Sequence, residues 1–190
     1  MLVPEGIVID GLSGAMAPHT GHYVKRLSDL EHVFRDEETV NATITRGGDA
    51  AVYEVVEYRK AESDLFFGTT IIHPGDVSGE FYMTRGHFHQ RIDCGEVYYT
   101  QSGRGLLLLE DRAGETRTVE MLPGTCAFIP PNWAHRSINT GGDKLVFVWV
   151  CNPLAGHDYG TIAEHGMRKL VLREGDGYTL ADNPAFQGHS

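Results

Sequence analysis

The chain reads as an all-β protein, a sandwich or barrel, on three observations. Turn signals recur at intervals of about ten residues: Pro74-Gly75, Ser102-Gly103, Ala113-Gly114, Pro123-Gly124 and Gly141-Gly142. Between them lie runs rich in β-branched and aromatic residues, such as Ala51 to Tyr58. The 23 glycines and 8 prolines are spread through all 190 residues, which suits many tight turns better than a helix bundle.

Taken in order, residues 1–50 read as an N-terminal arm. Ser28 offers a helix cap, with Glu31 three residues on. Leu27, Leu30, Val33 and Phe34 follow as a short apolar stripe, so a short helix is expected over 29–34. The polar run from Arg35 to Asp49 reads as a surface connection. Strands are expected over 51–58, 65–72, 80–83, 96–101, 105–110, 116–121, 125–129 and 145–150. Leu106-Leu107-Leu108-Leu109 has no period of its own; its length and the flanking glycines make it a buried strand. A short helix is expected after Asp158 and a late strand over 168–173. Residues 51–190 thus form the body of the fold with a C-terminal extension.

Composition narrows the function. A 41% hydrophobic, 22% charged chain is folded rather than disordered. The net charge of −10 argues against a nucleic-acid backbone and against a basic membrane-binding face. No apolar run approaches the roughly 20 residues of a membrane span. The opening MLVPEGIVIDG lacks a basic segment followed by an apolar one, so a cytoplasmic protein is expected. Cys94, Cys126 and Cys151 form no CxxC pair and read as reduced, mostly buried thiols.

The chemistry concentrates in Gly86-His87-Phe88-His89, followed by Glu96. Alternate side chains of a strand share a face, so His87 and His89 project together and Phe88 turns away. A hairpin can bring Glu96 beside them, and His135 can supply a third imidazole. Three nitrogens and one carboxylate suit iron, manganese, nickel or zinc; calcium and magnesium want more oxygens. A lone HxH pair is commonly a pair of surface or core histidines, and it is Glu96 and His135 that raise it to a metal site. His19, His22, His32, His73, His165 and His189 are read as solvated or locally hydrogen-bonded.

These motifs resemble the cupin family. His87, His89, Glu96 and Gly103 match its first motif, and Gly124, Pro130, His135 and Asn139 its second, with Asn132 where the motif has glycine. Six residues separate His89 from Glu96, where three or four are usual. That departure, with Thr84-Arg85-Gly86-His87-Phe88-His89, Pro130 to Arg136 and Ala155-Gly156-His157-Asp158-Tyr159-Gly160-Thr161-Ile162-Ala163-Glu164, resembles the cupin-type glucose-6-phosphate isomerases known mainly from archaea. Arg85 stands where that family has lysine.

The resemblance implies a double-stranded β-helix, the cupin jelly-roll barrel, with an N-terminal arm packing on the barrel or on a partner subunit of a homodimer. It implies one divalent metal per subunit, iron first, held by His87, His89, Glu96 and His135. It implies interconversion of glucose 6-phosphate and fructose 6-phosphate. Such a reaction needs a Lewis acid or proton donor on two oxygens, and either a base at carbon or a path for direct hydride transfer. Glu96 and His157 are the catalytic candidates. Tyr53, Tyr98 and His157 are expected against the sugar. Thr70, Thr84, Gly86 and Tyr159 are expected around the phosphate, with Arg85 or Arg136 setting a local positive field. Trp133 and Phe88 are assigned to packing. The motifs also leave open another metal-dependent cupin enzyme, acting on an unphosphorylated sugar or as a dioxygenase, and a non-catalytic sugar-binding cupin.

Overall fold

The computed structural model describes residues 3–189, so the first two residues of the arm and the last of the extension lie outside the described residues. A short pair, β1 (Val8–Ile9) and β2 (Met16–Ala17), leads to β3 (Gly21–Arg26), a 3-10 turn over Leu27–Asp29 and helix α1 (Glu37–Thr45). Then come β4 (Ala51–Tyr58), β5 (Phe66–Ile72), β6 (Asp76–Val77), β7 (Glu80–Phe81), β8 (Glu96–Ser102) and β9 (Gly105–Asp111). Next follow β10 (Thr116–Met121), β11 (Cys126–Ile129), β12 (Trp133–Asn139) and β13 (Leu145–Cys151). Helix α2 (Gly160–His165) and the hairpin β14 (Lys169–Glu174) and β15 (Gly177–Asp182) complete the chain.

One sheet runs β11-β8-β13-β5-β4-β3, with antiparallel neighbours throughout. The second is built from β10-β9-β12 and from β15-β14-β7-β6. The chain after β7 stitches these two pieces together along β12. Asn139 N donates to Tyr82 O at 3.0 Å, Thr84 N to Ser137 O at 2.9 Å and His135 N to His87 O at 3.1 Å. The inner faces of both sheets share one apolar core, with Val55, Ile72 and Phe147 from the first and Leu106, Ile138 and Phe81 from the second. This is the jelly-roll barrel that the motifs imply. All four leucines of β9 are buried, as expected of a central strand covered on both faces. Among the described residues, no helix is long and apolar enough to cross a membrane.

The motif residues have visible structural reasons. Asn139 is wholly buried; its Nδ2 donates to Ile72 O and Asp143 O, and its Oδ1 accepts from Gly141 N, which fixes the turn between β12 and β13. Gly103 has φ +82, and a Cβ there would sit 2.3 Å from Lys144 O. Asn132 has φ +65, the left-handed conformation that asparagine tolerates next best to the glycine of the motif.

Several expectations are corrected. No helix spans 29–34: His32 has φ +62, which interrupts any helix, while Leu27, Leu30 and Phe34 enter the core separately. The helix lies instead at Glu37–Thr45, inside the run read as a surface connection. Asp36 caps it by accepting from Thr39 N at 2.9 Å, and Glu37 and Glu38 sit in its positive first turn. Ser28 bonds Asp49 through both its amide and its hydroxyl rather than capping a helix. Strands β3, β12 and β15 were not anticipated. Of the cysteines only Cys94 is buried; Cys126 is exposed and Cys151 half-buried, and all three are free.

Candidate metal centre and substrate pocket

The site grows from a strand exchange. His87 and His135 face each other across an antiparallel bridge, exchanging N–H···O bonds of 3.3 and 3.1 Å, so their side chains share a face. Two residues on, His89 shares that face. Glu96 opens β8 and is aimed inward from the opposite sheet by its alternation, Glu96, Tyr98 and Thr100 being buried while Val97 and Tyr99 are exposed. Gly86, at φ +77, lets the chain pass Arg136 closely. One donor atom each from His87, His89, Glu96 and His135 lies within 4.8 Å of the others.

The hydrogen bonds behind these groups set their tautomers. His89 Nδ1 lies 3.0 Å from Cys94 O and His135 Nδ1 3.3 Å from Trp133 O, so each Nδ1 carries a proton and each Nε2 is the atom turned to the cluster. His87 Nε2 is buried without a hydrogen-bond partner. His135 Nε2 lies 3.1 Å from Glu96 Oε2 but out of line for a hydrogen bond. Burial opposes ionisation of Glu96, yet the His135 and His89 imidazoles outweigh it and hold the carboxyl at about 2. Burial, and then the neighbouring imidazoles, keep His87 neutral, well below the ordinary histidine value. His89 Nε2 lies 3.2 Å from Glu96 Oε2, and against the effect of burial this carboxylate raises the His89 pKa. Three imidazole nitrogens turned on one carboxylate fit a divalent cation, a donor set of borderline character.

Around this cluster a cavity is lined by Tyr53, Thr70, Thr84, Gly86, His87, Glu96, Tyr98, His135, His157 and Tyr159. The ligand, catalytic and substrate-contact candidates singled out in the sequence thus line it, except His89. The His157 ring centroid is 4.4 Å from that of His87, and Tyr159 stacks on His157 at 5.3 Å with a 12° tilt. Burial lowers the His157 pKa, so the ring is neutral near pH 7. Burial also raises the hydroxyls of Tyr53, Tyr98 and Tyr159, which remain protonated donors. Thr84 Oγ1 accepts from Ser137 N at 3.1 Å and keeps its own hydrogen free to donate.

The charges differ from expectation. Arg136 does not reach the cavity. It follows His135 on β12 and so points to the other face, where its guanidinium donates to Arg85 O at 2.6 and 3.2 Å. Arg85 does line the cavity, lying over the Tyr159 ring and donating to Asp29 O at 2.5 Å. Arg59 was missed. It lines the cavity from the end of β4, pairs with Glu57 at 2.8 Å and lies over Trp149. Tyr23, Trp149 and Cys151 also line it, brought there by cross-strand register that no local motif encodes. Among the remaining histidines, His22 and His73 share Glu54 and His32 pairs with Glu37. His189 is neither solvated nor locally paired; it is wholly buried against Glu110. The His165 side chain lies outside the described residues.

Comparison with known proteins gives the family. A family model described as Glucose-6-phosphate isomerase (GPI) matches residues 24–185. The glucose-6-phosphate isomerase of Thermococcus litoralis is 44% identical over 186 residues, 97% of each chain. That of Pyrococcus horikoshii is likewise 44% identical over 97% of each chain. A putative glucose-6-phosphate isomerase 1 of Rhizobium meliloti is 43% identical, covering 97% of this chain and 88% of its own. Among solved structures, the oxalate decarboxylase of Lactobacillus farciminis aligns with a TM-score of 0.48 and 21% identity, over 56% of this chain and 30% of that one. With the family model spanning most of the chain and full-length relatives above 40% identity, the chain belongs to the glucose-6-phosphate isomerase family.

Proposed function

We propose that the chain interconverts D-glucose 6-phosphate and D-fructose 6-phosphate, using one divalent metal held by His87, His89, Glu96 and His135. The single observation that carries this is the convergence of those four donors beside a cavity walled by tyrosine and threonine hydroxyls and by two cations, Arg59 and Arg85. Iron is the metal we assign, and manganese, nickel or zinc suit the same donors. When bound, such an ion supplies a Lewis acid that polarises the adjacent oxygens of the sugar.

The chain's own groups account for the rest. Glu96 is the one carboxylate among the cavity-lining residues and is ionised at neutral pH, so it can take the proton from C2 of the aldose and return one to C1. His157, neutral and beside His87, can pass a proton between the two oxygens. Tyr53 and Tyr98 donate to sugar hydroxyls. Thr70, Thr84, the Gly86 amide and Tyr159 surround the phosphate, and Arg85 supplies the charge beside it. A direct hydride shift from C2 to C1 satisfies the same atoms without Glu96 acting at carbon.

The working unit we propose is a cytoplasmic homodimer. The β1–β2 pair covers Val56, Ile71 and Val146 on the outer face of its own sheet. It leaves Val97, Tyr99 and Phe128 of the same face exposed, and Val8 and Leu12 of the pair are themselves exposed. An apolar face shared between arm and sheet suits a second copy of the chain. The function is tested by following fructose 6-phosphate and fructose by NMR with the metal-loaded chain. Conversion of the phosphorylated sugar alone is expected. Equal turnover of both, or oxygen consumption, would overturn the reading.

A further inference from the structure

We infer that His189 is a positioning residue of the metal centre, acting through Phe88; this rests on the metal site proposed above. The segment after β15 is anchored where Asn183 N donates to Arg168 O at 2.8 Å and its Nδ2 to Met167 O at 2.9 Å. The segment then carries His189 into the protein. There its Nε2 meets Glu110 Oε1 at 2.5 Å, with both side chains fully buried. Glu110 is held in turn by Arg168 N at 2.7 Å, and it pairs in register with Ala134, the neighbour of His135.

The His189 ring stands edge-on to Phe88, with centroids 5.2 Å apart at 86°, and Phe186 stands edge-on to it from the same segment at 5.1 Å. Phe88 lies between His87 and His89 and points away from them into this slot, where the Arg112 guanidinium also rests on its ring at 4.3 Å. Its backbone is a joint. Phe88 N donates to Asp158 O at 3.2 Å and Asp158 N donates to Phe88 O at 2.8 Å. Asp158 separates His157 from Tyr159. A shift of Phe88 therefore moves two of the four metal donors on one side and two substrate-facing rings on the other.

An apolar side chain would fill the slot without the desolvation that a buried imidazole and carboxylate incur. What the polar pair adds is direction: the 2.5 Å contact fixes the ring against one edge of Phe88. Groups hydrogen-bonded directly to metal ligands change metal affinity by about 10- to 100-fold when replaced, and one acting through Phe88 is expected at the lower end of that range.

The test titrates Co²⁺ into the chelator-stripped chain, reading affinity by competition with a chromophoric chelator and geometry from the visible d–d bands. His189→Leu is expected to weaken Co²⁺ binding by about tenfold and to shift the bands. His189→Gln, which keeps a donor for Glu110, is expected to restore most of the affinity. Met16→Ala, in the separate cluster under the arm, should lower thermal stability and leave Co²⁺ binding unchanged. Wild-type affinity and spectrum in His189→Leu, or equal weakness in His189→Gln, overturns the inference. Should His189→Leu fail to fold, Glu110→Gln gives the same readout, with weakened binding in support and unchanged binding against. Absence of Co²⁺ binding by the wild-type chain would instead remove the metal site itself.

Discussion

Replacing Arg136 with methionine is expected to cost as much as truncating a large apolar side chain in the core. Arg136 is 4% exposed and feels the charges of Glu80 and Glu110, which are 2% and 0% exposed. Burial lowers the Arg136 pKa, and the two carboxylates oppose that shift. Burial likewise raises Glu80 and Glu110 above the ordinary carboxylate range, with the Arg35 amide and the Arg168 amide with His189 acting against it, and Arg136 adding to that opposition. Removing the cation takes a compensating charge from two buried carboxyls, leaving Glu80 the Arg35 amide and Glu110 the Arg168 amide and His189, and strips Arg85 O of two donors. Breaking a buried charge cluster from one side costs about 3–5 kcal/mol. For a chain of this size each kcal/mol lowers Tm by about 2–4 °C, so a drop on the order of 10 °C is expected.

The loss carries a pH signature. Between the unfolded and the raised folded pKa of a buried carboxyl, the folded chain binds more protons, so stability falls as pH rises through that window. Without Arg136 the folded values of Glu80 and Glu110 rise further and the window widens upward. The deficit of Arg136→Met should therefore be largest at neutral pH and shrink on acidification towards pH 5. Thermal unfolding of the chelator-stripped wild type and variant at both pH values reads this directly. A variant within about 1 kcal/mol of wild type at pH 7, or a deficit that grows on acidification, would refute the reasoning.

Other outcomes are as specific. Asp36→Ala removes the cap of α1 and should destabilise by about 1 kcal/mol, seen as a small fall in Tm with unchanged turnover. Thr84→Val should raise KM for fructose 6-phosphate and, because it removes the acceptor of Ser137 N, also cost about 1–3 kcal/mol of stability; an unaltered KM would take Thr84 out of the phosphate site. Running the isomerisation in deuterated water separates the two hydrogen routes: label at the product carbon requires a base such as Glu96, and its complete absence favours hydride transfer.

The sequence carried the central strands because they are apolar and bounded by glycine or proline. It hid β3, whose Gly-His-Tyr-Val-Lys-Arg is polar because it is an edge strand, half-exposed along its length. It hid β12 too, where His135, Arg136, Ser137 and Asn139 are buried polar residues satisfied by partners far away in sequence. Helix α1 was missed because it buries a single apolar residue, Val40, though Asp36 and Thr39 spelled its start. Within the site, His87, His89, Glu96 and His135 follow from strand alternation and motif spacing. His157 and Tyr159 were legible only through the block that resembles a family, because nothing local marks the loop before α2. Arg59 enters from the end of β4 through its pairing with β5, and His189 through a segment that folds back behind β9; neither register is written locally.

The account stands most directly on metal content. The purified chain, stripped with chelator and reloaded with iron, should hold one ion per chain and recover fructose 6-phosphate turnover, whereas His87→Ala and His135→Ala should hold none and stay inactive. Full activity in the stripped chain, or one ion retained in either variant, would contradict it.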